Sequence, residues 1–380
     1  MKRIAIFLDG TWNIQTNNTN VWRLKSLCVT DEDQQLVYYS QGVGTRFGEK
    51  ARGGVEGYGL DSQIIDAYTW LAQVFEADDD IFLFGFSRGA YAARSLSGLI
   101  TKCGVLRLGA PLSIEQLYAR YHRRTDRTIR KLMADGPASF TTLEERWIAR
   151  YCIPINIKFV GVWDTVGSLG NPLAAGTVAN IAHYHFLDTH LYHSNEFAFH
   201  ALALDEHRRP FEPTFWTRSV ENAEQHSASR TLNEVEQRWF VGAHANVGGG
   251  YPSDLLAQLP LKWLMDKAAA HGLRFKSEIE MDPIDPKAPI ADSYASFGPA
   301  LLRLFTKRFY RLVGAPPEVG TKYTTSRINE TIDASIFRRW RDNPEYRPPN
   351  LQAWSERFRI DPATMPGSVL ATDPNIAVRP

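Results

Sequence analysis

Apolar runs separated by polar, glycine-bearing turns give most of the chain an alternating strand-and-helix pattern. RIAIFL, residues 3–8, is an apolar run that stops at DGTWN and reads as a buried strand feeding a turn. A short helix is expected over VWRLKSL, and a second strand over LVYYSQG, residues 36–42. From Gly42 to Gly59 neither period holds, and seven glycines with mixed charge predict a long loop over one sheet edge. DSQIIDAYTWLAQVF restores the helical period, with Asp61 as N-cap and Ile64, Ile65, Tyr68, Leu71 and Phe75 on one face. IFLFGF, residues 81–86, is the next strand, and a helix is expected from Arg88 to Lys102.

The stretch 113–151 breaks this alternation with two basic helical segments, which read as an inserted lid rather than a core layer. INIKFVGVW, residues 155–163, resumes the strand pattern. Residues 167–215 are rich in His, Asn and aromatics, with a helix expected around FAFHALALDEH. VEQRWFVGA, residues 235–243, reads as a late strand, and LLAQLPLKWLMDKAAAHG as a helix. Beyond about residue 280 the chain is Pro-rich, aromatic and irregular. The predicted fold class is α/β: an α/β-hydrolase-like, mostly parallel sheet with helices on both faces, an inserted helical lid and an irregular C-terminal extension. The expected division is a core over 1–280, containing the lid at 105–150 and a site-proximal insertion at 167–215, with 281–380 packed on it.

Composition narrows this picture. The chain has 380 residues, 44% of them hydrophobic, and 43 basic against 42 acidic side chains. A net charge of +1 gives no global field favouring nucleic acid or anionic lipid, though local patches could. Cys28, Cys103 and Cys152 are widely spaced and odd in number, which argues against a disulfide framework and a structural zinc site. The apolar run after Lys2 and Arg3 is too short for a signal peptide, so synthesis in the cytoplasm is expected, with any export following a route that reads no such signal.

The chemistry concentrates at FLFGFSRGAYAARSL. Gly85-Phe86-Ser87-Arg88-Gly89 is a G-x-S-x-G sequence between an apolar strand and a helix, where glycines let a serine occupy a sharp turn. A tight connection that merely contains serine would give the same five letters. A serine nucleophile needs a base, and the base an orienting acid, each just past a strand end. IKFVGVWDTVGS supplies Asp164 as the acid, unless it only caps its turn. RWFVGAHANVGGG supplies His244 as the base, with His200 and His207 as the competing histidines. His183, His185, His190 and His193 cluster loosely without zinc spacing.

Other readings of the motifs are weaker. A strand ending in DGT is also found in haloacid-dehalogenase phosphatases, but Phe7 stands where their nucleophile would be. Asp9 and Asp254 are two carboxylates without a metal-ligand spacing, and GVGT and GGGY match neither a P-loop nor a dinucleotide fingerprint. No metal or cofactor is expected.

FLDGTWN with TNVWRL, GVGT, GFSRGAYAAR, GVWDTVGS and WFVGAHANVGGGYPSD occur in order over roughly residues 1–275. Together they resemble a bacterial and fungal family of α/β-hydrolase domains, the domain of unknown function DUF2235, which includes phospholipase effectors of the type VI secretion system. The resemblance implies a Ser87 nucleophile, an Asp164 acid and a His244 base. It differs at Asn246, where the family pattern has aspartate; that removes a charge beside the base. Oxyanion donors are expected from the Arg88 N–H and from the N–H of Gly10 or Thr11.

The implied activity is hydrolysis of carboxylic esters, lipid or phospholipid acyl esters in particular. The partners would be such a substrate, a membrane surface contacted peripherally, and, for an effector, a secretion-system or immunity protein; nucleic acid is not expected. A lid carrying Arg120, His122, Arg123, Arg124, Arg127, Arg130 and Lys131 beside Leu117, Tyr118, Tyr121 and Leu132 would suit anionic headgroups, or be an ordinary solvated face. The rivals are a soluble small-molecule or polyester esterase and a non-catalytic module that keeps the fold.

Overall fold

The structure is a computed structural model that describes residues 1–10, 17–42, 56–123, 125–167, 190–221, 230–252, 254–295, 307–321 and 323–379. The chain opens with β1 (Arg3–Leu8), α1 (Asn20–Leu27), β2 (Gln35–Ser40), α2 (Glu56–Val74), β3 (Asp80–Phe86) and α3 (Arg88–Cys103). A short β4 (Val105–Leu106) leads to α4 (Ile114–His122), α5 (Ile129–Asp135) and α6 (Leu143–Tyr151), and β5 (Cys152–Ile153) returns to β6 (Ile157–Trp163). Next come β7 (Asn195–Ala203), β8 (Thr217–Glu221), β9 (Val235–Phe240), α7 (His244–Gly248) and α8 (Gln258–Ala270). The C-terminal part holds β10 (Glu318–Val319), β11 (Tyr323–Arg327), β12 (Glu330–Ile332), α9 (Ala334–Asp342), α10 (Pro349–Phe358), β13 (Ser368–Leu370) and β14 (Asp373–Val378).

The main sheet runs β14-β13-β12-β9-β7-β6-β3-β1-β2. Every pairing from β12 to β2 is parallel, and β13 and β14 are antiparallel. Alternation within the strands sorts the two faces. Ile4, Ile6, Leu8 and Leu83 pack with Ile64, Tyr68 and Leu71 of α2 and with Leu96 and Leu99 of α3. Ala5, Phe7, Phe82 and Phe84 pack on the other face with Leu24 of α1 and with Leu261, Leu264 and Met265 of α8. There the rings of Phe7 and Phe84 lie 4.8 Å apart, Phe84 and Phe159 5.4 Å, and Phe159 and Phe199 5.4 Å. This aromatic row runs across four parallel strands and holds level the strand ends that carry the site.

Several expectations change. FAFHALALDEH is not helical: it falls largely in β7, a central strand between β6 and β9 that is buried from Ala198 to Ala203. A strand covered on both faces loses the polar alternation that would distinguish it, and its alanines favour the helical reading. Asp61 does not cap α2, which begins at Glu56; its Oδ1 accepts from the Tyr118 hydroxyl of α4 at 2.6 Å. Most of the glycine-rich loop, 43–55, lies outside the described residues, as do 168–189 of the expected insertion, including His183 and His185. The Pro-rich C-terminal stretch carries more regular structure than its sequence suggests, because β12, β13 and β14 complete the sheet.

The inserted helices α4 and α5 pack on α3, and α4 also on α2, so α3 is buried continuously from Gly89 to Cys103. Their cations are largely paired with one another's elements. Buried Arg120 meets Asp126 at 3.4 Å and Glu144 at 3.1 Å, and Arg127 meets Asp135 and Glu145 at 3.0 Å each. Arg123 bonds Asp126 and Glu144, Lys131 bonds Asp135, and Arg130 bonds Asn156. Arg124 lies outside the described residues. Much of the apparent basic face is therefore internally neutralised.

Candidate active site

Ser87 is the single residue between β3 and α3, with φ 59° and ψ −122°. A non-glycine residue holds such a conformation only where its surroundings enforce it. Two close approaches enforce this one. A Cβ on Gly85 would lie 2.3 Å from the Gly89 carbonyl oxygen, and one on Gly89 would lie 2.2 Å from that of Leu8. The first turn of α3 thus sits directly on the ends of β3 and β1. The Ser87 N–H donates to the Trp163 carbonyl at 3.1 Å, tying the turn to β6.

Asp164 follows β6 with φ 40° and is fully buried. His244 opens α7, just past β9, and is 6% exposed. Its Nδ1 lies 2.5 Å from Asp164 Oδ2, and its Nε2 lies 2.8 Å from Ser87 Oγ. A carboxylate facing Nδ1 fixes the proton there, which leaves Nε2 to accept from the serine hydroxyl. The rings of Phe86 and Phe211 flank the imidazole at 4.6 and 5.0 Å. The three side chains therefore form one hydrogen-bonded chain at the C-terminal ends of β3, β6 and β9.

The competing histidines lie elsewhere in the network. Buried His200 accepts at Nε2 from the Thr165 N–H at 3.0 Å and faces Gln237 through Nδ1, so it braces the turn behind Asp164. Burial, assisted by Arg94, pushes its pKa down to about 3. His207 contacts Tyr310, ring centroids 4.9 Å apart, and the Phe309 carbonyl.

Sequence patterns gave no sign of the charged groups behind the imidazole. Arg311, 1% exposed, donates from Nη1 to Asp164 Oδ1 at 2.7 Å and from Nη2 to Oδ2 at 3.0 Å. It comes from the C-terminal part of the chain, 147 residues from Asp164. Glu206 Oε2 accepts from the His244 N–H at 3.2 Å while its carboxylate is gripped by Arg208 Nε at 2.8 Å and Nη2 at 2.9 Å. Burial works against the ionised Asp164, but Arg311 and the His244 bond overcome it and hold the carboxyl well below its usual range. For His244, burial outweighs the opposing pull of Asp164, and the imidazole's pKa is lowered. The imidazole is thus held toward its neutral form and the carboxyl toward its ionised form.

The expected oxyanion donors fare differently. Arg88 is the first residue of α3, at the positive end of the helix dipole. The Gly10 N–H donates to Asp9 Oδ1 at 2.8 Å, so it is already engaged. Thr11 lies outside the described residues. Asp9 is a turn organiser: its Oδ2 accepts from Thr19 at 2.6 Å and Tyr39 at 2.9 Å. Asn246 accepts at Oδ1 from the N–H groups of Ala243 and Ala291 and donates to Asp254 Oδ2 at 2.9 Å. It braces the histidine loop rather than acting on the ring. Asp254 also accepts from the Leu256 N–H at 2.9 Å, so Asp9 and Asp254 have separate partners. Among the described residues no group of three His, Cys, Asp or Glu could hold a metal ion, and no helix is long and apolar enough to cross a membrane.

Comparison with known proteins identifies the family of the chain. The chain is 28% identical over 190 residues to the uncharacterised protein YEL023C of Saccharomyces cerevisiae, covering 44% of this chain and 27% of the yeast protein. It thus spans about a quarter of that curated relative's length. An uncharacterised protein from Pseudomonas aeruginosa, solved by crystallography, aligns at 17% identity and a TM-score of 0.43, covering 72% of this chain and 46% of that one. The Tle1 effector, solved bound to the VgrG spike of the type 6 secretion system, aligns at 18% identity and a TM-score of 0.36, covering 66% and 51%. Residues 2–267 match the family described as the T6SS phospholipase effector Tle1-like catalytic domain, and the chain belongs to that family.

Proposed function

We propose that the protein is a serine hydrolase of carboxylic esters, acting on lipid or phospholipid acyl esters in the manner of a phospholipase A. The observation that carries this is the Ser87–His244–Asp164 chain, 2.8 and 2.5 Å, on a strained strand-to-helix turn. Membership of a phospholipase effector family supports the lipid part of the reading. In the proposed reaction His244 Nε2 takes the Ser87 proton as Oγ attacks the ester carbonyl, and the Arg88 N–H at the start of α3 stabilises the oxyanion. Protonated His244 gives its proton to the leaving alcohol, and water repeats the sequence in reverse to release the acid. Asp164 holds the imidazole tautomer and offsets its positive charge.

The inserted helices lend the phospholipid reading little, because most of their cations are paired within the insertion. Contact with a membrane surface, and a secretion-system or immunity partner, belong to the same proposal and rest on the family alone, as does export without a signal peptide. The test compares soluble acyl esters of increasing chain length with intact phospholipid vesicles, for the wild type and Ser87→Ala. Vesicle hydrolysis that Ser87→Ala abolishes is expected. Fast short-ester turnover with inert vesicles would reject the phospholipase reading in favour of a small-molecule esterase, and no Ser87-dependent hydrolysis of either would reject the enzyme.

A further inference from the structure

We propose that Arg311 is a positioning residue that fixes the Asp164 carboxylate beneath His244 and balances its charge. The inference rests on the serine-hydrolase reading above and adds to it a component from outside residues 2–267, the span of the family match. Its guanidinium has little freedom. Nη1 donates to Asp164 Oδ1 and to the Ala203 carbonyl, at 2.7 and 2.6 Å. Nη2 donates to Asp164 Oδ2 at 3.0 Å and to the Phe211 carbonyl. The fork is thus anchored on the end of β7 and on the loop carrying Phe211, whose ring faces His244. The Ala203 N–H adds a second donor to Asp164 Oδ1 at 3.0 Å, beside Arg311 Nη1, while Oδ2 faces His244 Nδ1. A planar two-pronged donor fixes the carboxylate plane as a point charge cannot.

Charge leads to the same residue. Asp164 is fully buried, and a buried carboxylate without a cation takes up a proton. Protonated Asp164 would no longer hold the proton on His244 Nδ1. The other ionisable groups near the pair are Glu206 and Arg208 after β7, which offset each other, Tyr251 near Arg208, and His200 within β7 with Arg94 behind it. His200 remains neutral at working pH. Arg311 is therefore the cation matched to Asp164. Whichever partner takes it, the first proton added to the Asp164–His244 pair binds less tightly because Arg311 is there.

The test uses the full chain with Arg311→Gln and Arg311→Lys, with folding checked by near-ultraviolet circular dichroism. Two readouts are followed against pH: kcat/KM on a soluble short-chain ester, and the rate of Ser87 labelling by a fluorophosphonate. Arg311→Gln should raise the midpoint of the acid limb by about one to two pH units, the effect of a unit charge one carboxylate away at an effective dielectric near 20. Its kcat should also fall, and millimolar guanidinium should restore part of the loss. Arg311→Lys should keep the acid limb near that of the wild type while losing kcat, since it retains the charge without the fork. A folded Arg311→Gln with an unmoved acid limb overturns the proposal. If Arg311→Gln does not fold, Arg311→Lys decides: lowered kcat with an unmoved acid limb supports the proposal, and wild-type kcat overturns it. A wild type that neither hydrolyses ester nor labels at Ser87 would refute the hydrolase reading itself, a result distinct from these.

Discussion

Gly89→Ala adds one methyl group at the point where α3 rests on β1. That carbon would lie 2.2 Å from the Leu8 carbonyl oxygen and 2.5 Å from that of Asp9, where real Cβ atoms essentially never approach within 3.0 Å. Both obstacles are backbone, so no rotamer change relieves them; α3 or the end of β1 must retreat by about 1 Å. Overpacking of this kind costs about 3 kcal/mol, the upper end of the usual range, because neither wall can yield cheaply. At about 2.1 cal/mol/K per residue, unfolding of the 380-residue chain has an entropy of roughly 0.8 kcal/mol/K, so Tm should fall by about 4 °C. The same retreat moves Ser87, whose Oγ sits 2.8 Å from His244 Nε2, and a 1 Å misplacement lowers kcat/KM by about 100-fold. Gly367→Ala is the control, since a Cβ there meets nothing within 4 Å. Thermal melts and ester turnover on both variants provide the measurements. A Gly89→Ala protein melting within about 1 °C of the wild type, with activity within about threefold, would refute the reasoning.

Three further outcomes follow from the same geometry. Because burial lowers the His244 pKa and the proposed mechanism uses the neutral imidazole, activity should persist as pH falls through about 6.5, with its acid limb lying below that; a midpoint above 7 contradicts it. His200, pushed down to about 3, stays neutral in the fold while the unfolded chain takes up its proton near 6.5, so stability should fall as pH drops through that window; His200→Gln should flatten the dependence by about one proton, and an unchanged slope counts against it. Asn246→Asp would set two carboxylates within hydrogen-bond distance and replace a donor to Asp254 by an acceptor, at a cost of about 1–3 kcal/mol at neutral pH that Asp254→Asn should largely recover; additive losses in a double-mutant cycle would refute the contact.

The backbone at Ser87 allows a fourth. With φ 59°, glycine relieves strain that alanine retains, so Ser87→Gly should be more stable than Ser87→Ala by about 1 kcal/mol while both are inactive. Equal stabilities in denaturant would mean the turn is not strained.

The parts of this architecture set by local patterns were legible in the sequence. Glycines on both sides of Ser87 reported a steric requirement that the Gly85 and Gly89 contacts account for, and the apolar strands ahead of Asp164 and His244 marked where the chain leaves the sheet. What escaped was non-local. Arg311 lies in FYRLV, where nothing in the spacing points to a carboxylate 147 residues away. Strand β7 escaped because burial on both faces from Ala198 to Ala203 erased its alternation, and β12 and β13, three residues each, are too short to show a period. Asn246 looked like a missing acid; its two acceptor bonds and its donation to Asp254 give it a different task.

In the proposed mechanism Ser87 carries an acyl group during turnover. Mass spectrometry of protein quenched in acid during reaction with a slowly turned-over acyl ester tests it directly. An adduct equal to the acyl mass is expected, confined to the peptide containing Ser87, absent from Ser87→Ala and decaying as substrate is exhausted. Hydrolysis that proceeds with no adduct on that peptide, or that survives in Ser87→Ala, would contradict it.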